Sequence, residues 1–517
     1  MARHRGGRAA RRAAREADAA TSASAAIVQP EWSQLRYTDP PVEPLDAEGV
    51  ERIHEAAMTI LEEIGIEFLH EDARKRLADA GCTVEGENVR MGRDFVMEMV
   101  GHAPSSFTIT PRNPDHAVTI GDGMAAFCPV ASAPNVSDLE GGRRTGNRKD
   151  FQNLLKLAQG FNVIHLTNGY PVEPVDIHAS IRHLDAIYDL LTLTDKAIHA
   201  YALGVERIED AMEMVRIAGG LTWEEFEAKP RMYTNINSSS PLKHDWPMLD
   251  GAMRLAEHAQ PVIVAPFTLA GAMAPITLAG AIAQQTAEGL AAIALLQYIR
   301  PGTPVVYGAF TSNVDMQTGA PAFGTPEYMR AAQMSGQMAR RYELPLRSSN
   351  ANAANYPDAQ ATWESCNSIH GALSAHAGIV FHAAGWLEGG LCASFEKMVI
   401  DCEILQQWNH YHRAISTEPE DLGLDAIREV GPHGHFLGAE HTQARYKGAF
   451  YAPFLSEWSN YERWEAEGAE KTDARAARIA RAMIDAYQAP PMDEGLREEL
   501  EAFVAKRKEE GGAPTDF

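Results

Sequence analysis

Between Ala125 and Phe381 the chain repeats one unit: a short apolar run, a few polar or small residues, then a helical stretch. The runs are Ala125–Val130, Val163–Leu166, Ala197–Ala202, Met232–Ile236, Pro261–Val264, Pro304–Gly308, Pro345–Arg347 and Ile379–Phe381. Most starts lie roughly 30 to 40 residues apart, the length a strand and its crossover helix need to return beside a parallel neighbour. Eight such units predict an α/β fold, a (β/α)8 TIM barrel, over residues 125–395. A doubly wound sheet alternates too, but it carries a Gly-rich phosphate turn, and neither GxGxxG nor GxxxxGKS/T occurs here.

The flanks differ in pattern. Residues 1–40 form a basic tail with six arginines in the first fifteen positions and no apolar core of the kind a secretory signal needs. Its Arg- and Ala/Ser-rich character also resembles a transit peptide, but a disordered arm is the simpler expectation. Residues 41–124 read as an N-terminal α+β cap. Asp46 is an N-cap for an amphipathic helix carrying Val50, Ile53, Ala57, Ile60, Leu61 and Ile64. EDARKRLADAG is a second helix closed by Gly81, CTVEGENVRM a hairpin, and SFTITPRNPDHAVTIGDG an antiparallel pair. Residues 396–517 form a C-terminal helical extension.

Charge and cysteine usage narrow the function classes. A formal net charge of −24 argues against nucleic acid as the main partner, because phosphate binding needs a basic surface. The apolar run Ala281–Tyr298 is broken by Gln284, Gln285 and Glu288, so it reads as a buried helix and not a membrane span. Cys82, Cys128, Cys366, Cys392 and Cys402 are odd in number and have no CxxC spacing, which fits a reducing cytoplasm and neither a disulfide framework nor a zinc ribbon.

In a barrel the chemistry gathers where strands run into the following loops. Asn168, Gly169 and Tyr170 follow the second strand; His199 and Tyr201 lie in the third; Asn235 and Asn237 follow the fourth. Phe267 follows the fifth, Tyr307 and Phe310 belong to the sixth, and Asn350, Asn352, Tyr356 and Asp358 come after the seventh. His382, Trp386 and Glu388 close the series. Amides orient a ligand without titrating, and aromatic faces suit a quaternary ammonium, which has no N–H to donate. Each desolvated face attracts such a cation by about 0.5–2 kcal/mol. The competing reading of any one ring is that it is core. His165, His199, His382 and Glu388 are possible metal ligands, but HExxH and CxxC are missing, so no metal is expected. No GxSxG elbow supports a serine nucleophile.

Several ordered blocks resemble one family. DMQTGAPAFGTPEYMRAAQMSGQMARRYELP (Asp315–Pro345) is similar to the DMRTG…G.PE…AQLAR.YGLP block of the trimethylamine methyltransferase family. PDAQATWES, HAAGWLEGGLCASFEKMVID, DAIREVGPHGHFLGAEHT and FVAKRKEE extend the likeness from about Asp46 to the C-terminus. The resemblance implies a (β/α)8 barrel that moves a methyl group from a methylated amine to the cobalt of a separate corrinoid protein. The family's archaeal founder uses pyrrolysine, which this chain lacks. It resembles instead the branch that demethylates glycine betaine and related quaternary amines. A quaternary amine leaves as a neutral tertiary amine, so Co(I) attack needs a site that holds and desolvates the cation rather than an acid.

From position, His382, Glu388 and Asp358 are the candidate catalytic residues. Asn168, Tyr170, Asn237, Tyr307, Phe310, Asn350, Asn352, Tyr356 and Trp386 are the candidate substrate contacts. Asn237, Asn350 or His382 would meet a substrate carboxylate, and Glu388 or Asp358 would balance the cation. The chain has no DxHxxG corrinoid motif, so the corrinoid is expected on a partner and no cofactor on this chain. Tetrahydrofolate as acceptor, or a non-catalytic betaine-binding protein, remain alternatives. The tail and terminal helices suggest a homo-oligomer.

Overall fold

The computed structural model describes residues 27–515. The arginine-rich start of the tail lies outside the described residues. The molecule is a mixed α/β fold around a curled, mostly parallel sheet of eight strands. Its parallel members are Met124–Pro129, Ile198–His199, Met232–Ile236, Val262–Val264, Val305–Gly308, Leu346–Ser349 and Ile379–Ala384, each beside the next in chain order from Ile198–His199 onward. Ile379–Ala384 then pairs in parallel with Met124–Pro129. The eighth strand, Leu35–Arg36, is antiparallel to Met124–Pro129. Residues 27–40 are thus not a free tail. Gln29 donates to the Gly160 carbonyl at 2.9 Å, and Tyr37 Oη to that of Ala377 at 2.8 Å.

The run Val163–Leu166, expected as a strand, is reduced to a bridge between Leu166 and Ala197. The cause lies in His165. Its Nδ1 accepts the Phe127 N–H at 3.0 Å, a ladder position that a backbone carbonyl would otherwise fill. The backbone still binds both neighbours, His165 N to Phe127 O and Thr167 N to Ala197 O, each at 2.9 Å.

Alternation along the strands sorts their side chains into two layers. Ala126, Cys128, Tyr233, Ile263, Val306, Ile379 and Phe381 share one cluster, packed beneath the hairpin Phe107–Ile109/Val118–Ile120 and Trp32. Phe127, Met232, Val262, Val264, Tyr307, Leu346 and Val380 belong to the larger cluster formed with the surrounding helices. Among these, Leu278–Ile299 is buried on nearly all sides, against Ala47–Thr59 and Arg93–Val100.

The first long helix and the hairpin form where the sequence places them: Asp46 Oδ1 accepts from Gly49 N at 2.7 Å, and Thr83–Glu85 pairs with Asn88–Arg90. That small sheet is extended through Ile66–Phe68 by Lys243–His244, which ties the loop after Met232–Ile236 to the N-terminal segment. At the other end, Glu494–Glu509 packs on Ala179–Leu193 and Val205–Ala218, held by Lys508–Asp185 and Arg507–Asp210 pairs of 2.7 Å.

Candidate active site

A cavity of about 480 Å³ opens at the carboxyl ends of the parallel strands. Each strand places its inward-facing residues there: His199 and Tyr201, Asn235 and Asn237, Phe267, Phe310, Arg347, and Phe381 with His382. Trp386 and Gly390 form one wall, and Ser132 and Glu173 another.

His382 reaches the cavity through an irregularity in its strand. The register slips between Val380, opposite Phe127, and Ala384, opposite Pro129, and His382 sits in the left-handed region at φ 53°. Such strain in a non-glycine residue is held only where the surroundings fix it, and it concentrates at functional sites. Here Asn168 Nδ2 donates to His382 Nδ1 at 3.4 Å, and the imidazole packs on the Trp386 indole.

The Trp386 ring is held in turn by Asn352. Trp386 Nε1 donates to the Asn352 carbonyl at 3.1 Å, and Asn352 Nδ2 donates to that of Trp386 at 2.8 Å. Just before it, the Gly385 N–H binds Asp401 Oδ2 at 2.9 Å, while the other oxygen of Asp401 takes Lys397, buried beside it. On the facing side Glu288 collects Ser238, Ser240 and the Leu242 N–H, fixing the loop that carries Asn237.

The electrostatics are unusual for a polar cavity. Burial, and then the field of Arg347, push His382 well below the ordinary histidine value; burial carries His199 down to about 3. Both imidazoles are neutral near pH 7. The Asn235 N–H donates to His199 Nε2 at 2.9 Å, which leaves the proton on Nδ1. Arg347 is 2% exposed, and burial lowers its guanidinium to about 10, still charged. Glu173, raised by burial, is the carboxylate among the lining residues, and it lies 3.5 Å from Arg182. Among the described residues no three His, Cys, Asp or Glu side chains gather as a metal set.

Of the residues named from sequence as catalytic candidates or substrate contacts, Asn168, Asn237, Phe310, His382 and Trp386 line the cavity, together with His199, Tyr201, Asn235 and Phe267 of the same strand-end series. The others lie elsewhere. Tyr307 faces outward, its hydroxyl 2.7 Å from Thr286 Oγ1, because it sits on the helix-facing parity of its strand. Asn350 Nδ2 donates to the Ala383 carbonyl at 3.0 Å beside the strand irregularity, and Asn352 serves Trp386. Tyr170 packs edge-on to Tyr201 at 4.6 Å, behind the wall. Tyr356 is half exposed and bonds Asp473. Asp358 caps the helix Ala359–Ser374, accepting from Gln360 and Ala361, so its carboxylate is committed. Glu388 pairs with Arg143 at 2.9 Å at the cavity's edge. Sequence reading passed over Arg347 and Phe381. Strand parity was the signal, since Leu346 packs outward and its neighbour must point in.

The family model described as trimethylamine methyltransferase matches residues 4–512. The chain is 38% identical over 469 residues to a glycine betaine methyltransferase of Desulfitobacterium hafniense (strain Y51), covering 90% of this chain and 98% of that protein. It is 28% identical to a proline betaine:corrinoid methyltransferase of Eubacterium limosum, over 77% of this chain and 84% of that one. Among solved structures, the monomethylamine methyltransferase of Methanosarcina barkeri shares the fold, with a TM-score of 0.50 at 10% identity over 90% of this chain and 89% of that one. The protein belongs to the trimethylamine methyltransferase family.

Proposed function

We propose that this enzyme takes a methyl group from a quaternary amine, glycine betaine foremost, and delivers it to the Co(I) of a corrinoid carried by a separate protein. One observation carries the reading: a cavity walled by Tyr201, Phe267, Phe310, Phe381 and Trp386, whose two imidazoles, His199 and His382, are neutral. Ring faces hold a methylated cation by their quadrupoles. The two imidazoles are not poised to protonate a leaving amine, and Glu173 is engaged by Arg182; a quaternary donor needs no acid, since the carbon–nitrogen pair departs as the lone pair of a neutral tertiary amine. The chain's task is to orient one methyl group toward the acceptor and to exclude water. The likeness to proteins named for glycine betaine and proline betaine supports the same donor class.

In this reading the curled sheet is a closed (β/α)8 barrel. The backbone bonds of residues 165–167 to both neighbouring strands support closure. Asn168, Asn237, Phe310, His382 and Trp386 are the substrate contacts, and Tyr307, Asn350, Asn352, Asp358 and Glu388 hold the walls. The enzyme works as a homo-oligomer in the cytoplasm. The exposed Ile415, Leu437, Phe450 and Trp458 of the C-terminal extension support an assembly surface. Among the described residues no helix is long and apolar enough to cross a membrane.

Incubation with chemically reduced cobalamin and glycine betaine tests the activity. Methylcobalamin absorbance should grow with enzyme present and not without it. A flat spectrum across glycine betaine, proline betaine and carnitine would sink the reading.

A further inference from the structure

Arg347 is the one fixed cation of the cavity wall, and no carboxylate within ion-pair distance answers it among the described residues. Its partners are weak. One Nη donates to the Ala309 carbonyl at 3.2 Å, and Nε, though buried, has no protein acceptor. The guanidinium lies over two rings of the same wall, 5.0 Å from the centroid of Phe310 and 4.6 Å from that of Phe381. Glu173, across the cavity, is engaged by Arg182 instead.

A buried, uncompensated guanidinium is costly unless something anionic meets it. Its fork of donors matches a carboxylate, to which it can give two parallel hydrogen bonds. Its charge also acts on the aromatic cage. Phe310 and Phe381 already face one cation, so a second, bare cation in the same space is repelled. A zwitterion escapes this conflict: its anion neutralises Arg347 while its ammonium takes the free ring faces.

We infer that Arg347 anchors the substrate carboxylate and thereby rejects methylated amines that carry no anionic group. The assignment deepens the proposed donor chemistry and rests on it for the ammonium end. It moves the carboxylate contact from Asn237, Asn350 and His382 to a residue whose charge is permanent. It also makes the cavity select for betaines, with an acid and an ammonium in one small molecule, over choline-like or simple amines.

Titration calorimetry on the full chain near neutral pH tests this with three probes. Glycine betaine carries both groups. Choline keeps the trimethylammonium and replaces the carboxylate by a hydroxyl. 3,3-Dimethylbutanoate keeps the carboxylate and replaces the ammonium by an uncharged tert-butyl group. The wild-type protein should bind glycine betaine at least about tenfold more tightly than choline, and should bind 3,3-dimethylbutanoate measurably. Arg347→Met, checked for folding by thermal melting, should weaken both carboxylates by roughly thirtyfold or more and leave choline unchanged or tighter. Choline binding within about threefold of glycine betaine in the wild type would overturn the anchor, and that comparison needs no variant to fold. So would a folded Arg347→Met that keeps its carboxylate affinity. The two readings fail separately. Arg347-dependent binding of both carboxylates with no methyl transfer leaves the anchor standing and removes the activity. Methyl transfer with equal use of choline does the reverse.

Discussion

The His382 imidazole and the Trp386 indole meet with their centroids 4.1 Å apart and their planes tilted by 51°. Phe310 approaches the same indole edge-on at 6.3 Å, and stacks on Phe323 at 5.7 Å. The His382–Trp386 contact exists because the end of strand Ile379–Ala384 is irregular. A regular strand would separate residues four apart by about 13 Å. The left-handed backbone of His382 and the turn at Gly385 fold them onto one wall.

That wall is both binding surface and core. Trp386 is only 6% exposed, so Trp386→Ala should cost about 3–5 kcal/mol of stability. It should also weaken glycine betaine binding by about 1–2 kcal/mol, roughly five- to thirtyfold. Trp386→Phe keeps a ring and should hold the fold while still losing affinity. Calorimetry beside thermal melts of both variants checks the pair.

Gly390 tests the same wall with the tryptophan itself unchanged. At φ +103° a side chain is strained, and an added Cβ would lie 2.6 Å from both Cζ2 and Cη2 of Trp386. Gly390→Ala should displace the ring and lower glycine betaine affinity by about fivefold or more. Gly438→Ala, where an added Cβ meets nothing within 4 Å, is the control and should leave affinity unchanged.

Much of this was legible in the sequence, and the misses share a cause. The strand positions follow from short apolar runs bounded by glycine, proline and polar residues, and most lie within a residue or two of the observed ones. Val163–Leu166 fails because His165 substitutes its ring for a backbone partner, which periodicity does not record. In the site, proximity to a strand end does not distinguish the two faces of the strand. Tyr307 and Phe310 therefore looked equivalent, although one faces the helices and the other the cavity. Arg347 reads in the sequence as the end of a strand. Asp358 and Asn352 belong to local hydrogen-bond economies, a helix cap and a tryptophan clamp, that become visible only once the chain has folded.

Acid sensitivity should follow from the buried histidines. Burial lowers His165 to about 4 and His199 to about 3, and moves His382 well below its ordinary value. Below about pH 6.5 the unfolded chain binds protons that the native state refuses, so stability is full above that pH and is lost as pH falls toward those values. Each such group contributes a slope of about 1.4 kcal/mol per pH unit within its window. His165→Gln, away from the cavity, should make the decline between about pH 6 and 4.5 shallower by about that amount. Denaturant melts across that range check it.

The Lys397–Asp401 pair should be a stability element rather than a catalytic one. Both side chains are fully buried, Lys397 Nζ also donates to Ser365 Oγ at 2.6 Å, and Asp401 holds the Gly385 N–H. Lys397→Met strands the Asp401 carboxylate and should cost about 3–5 kcal/mol, read as a lowered melting midpoint.

The most direct test follows the methyl group itself. Glycine betaine with fully deuterated methyl groups is incubated with the enzyme and Co(I) cobalamin, and both products are read by mass spectrometry. An intact deuterated methyl should appear on cobalt with dimethylglycine in equal amount, and neither should form when the enzyme is omitted. Deuterated formaldehyde in place of the cobalt-bound methyl, or dimethylglycine formed without cobalamin, would contradict methyl transfer to cobalt.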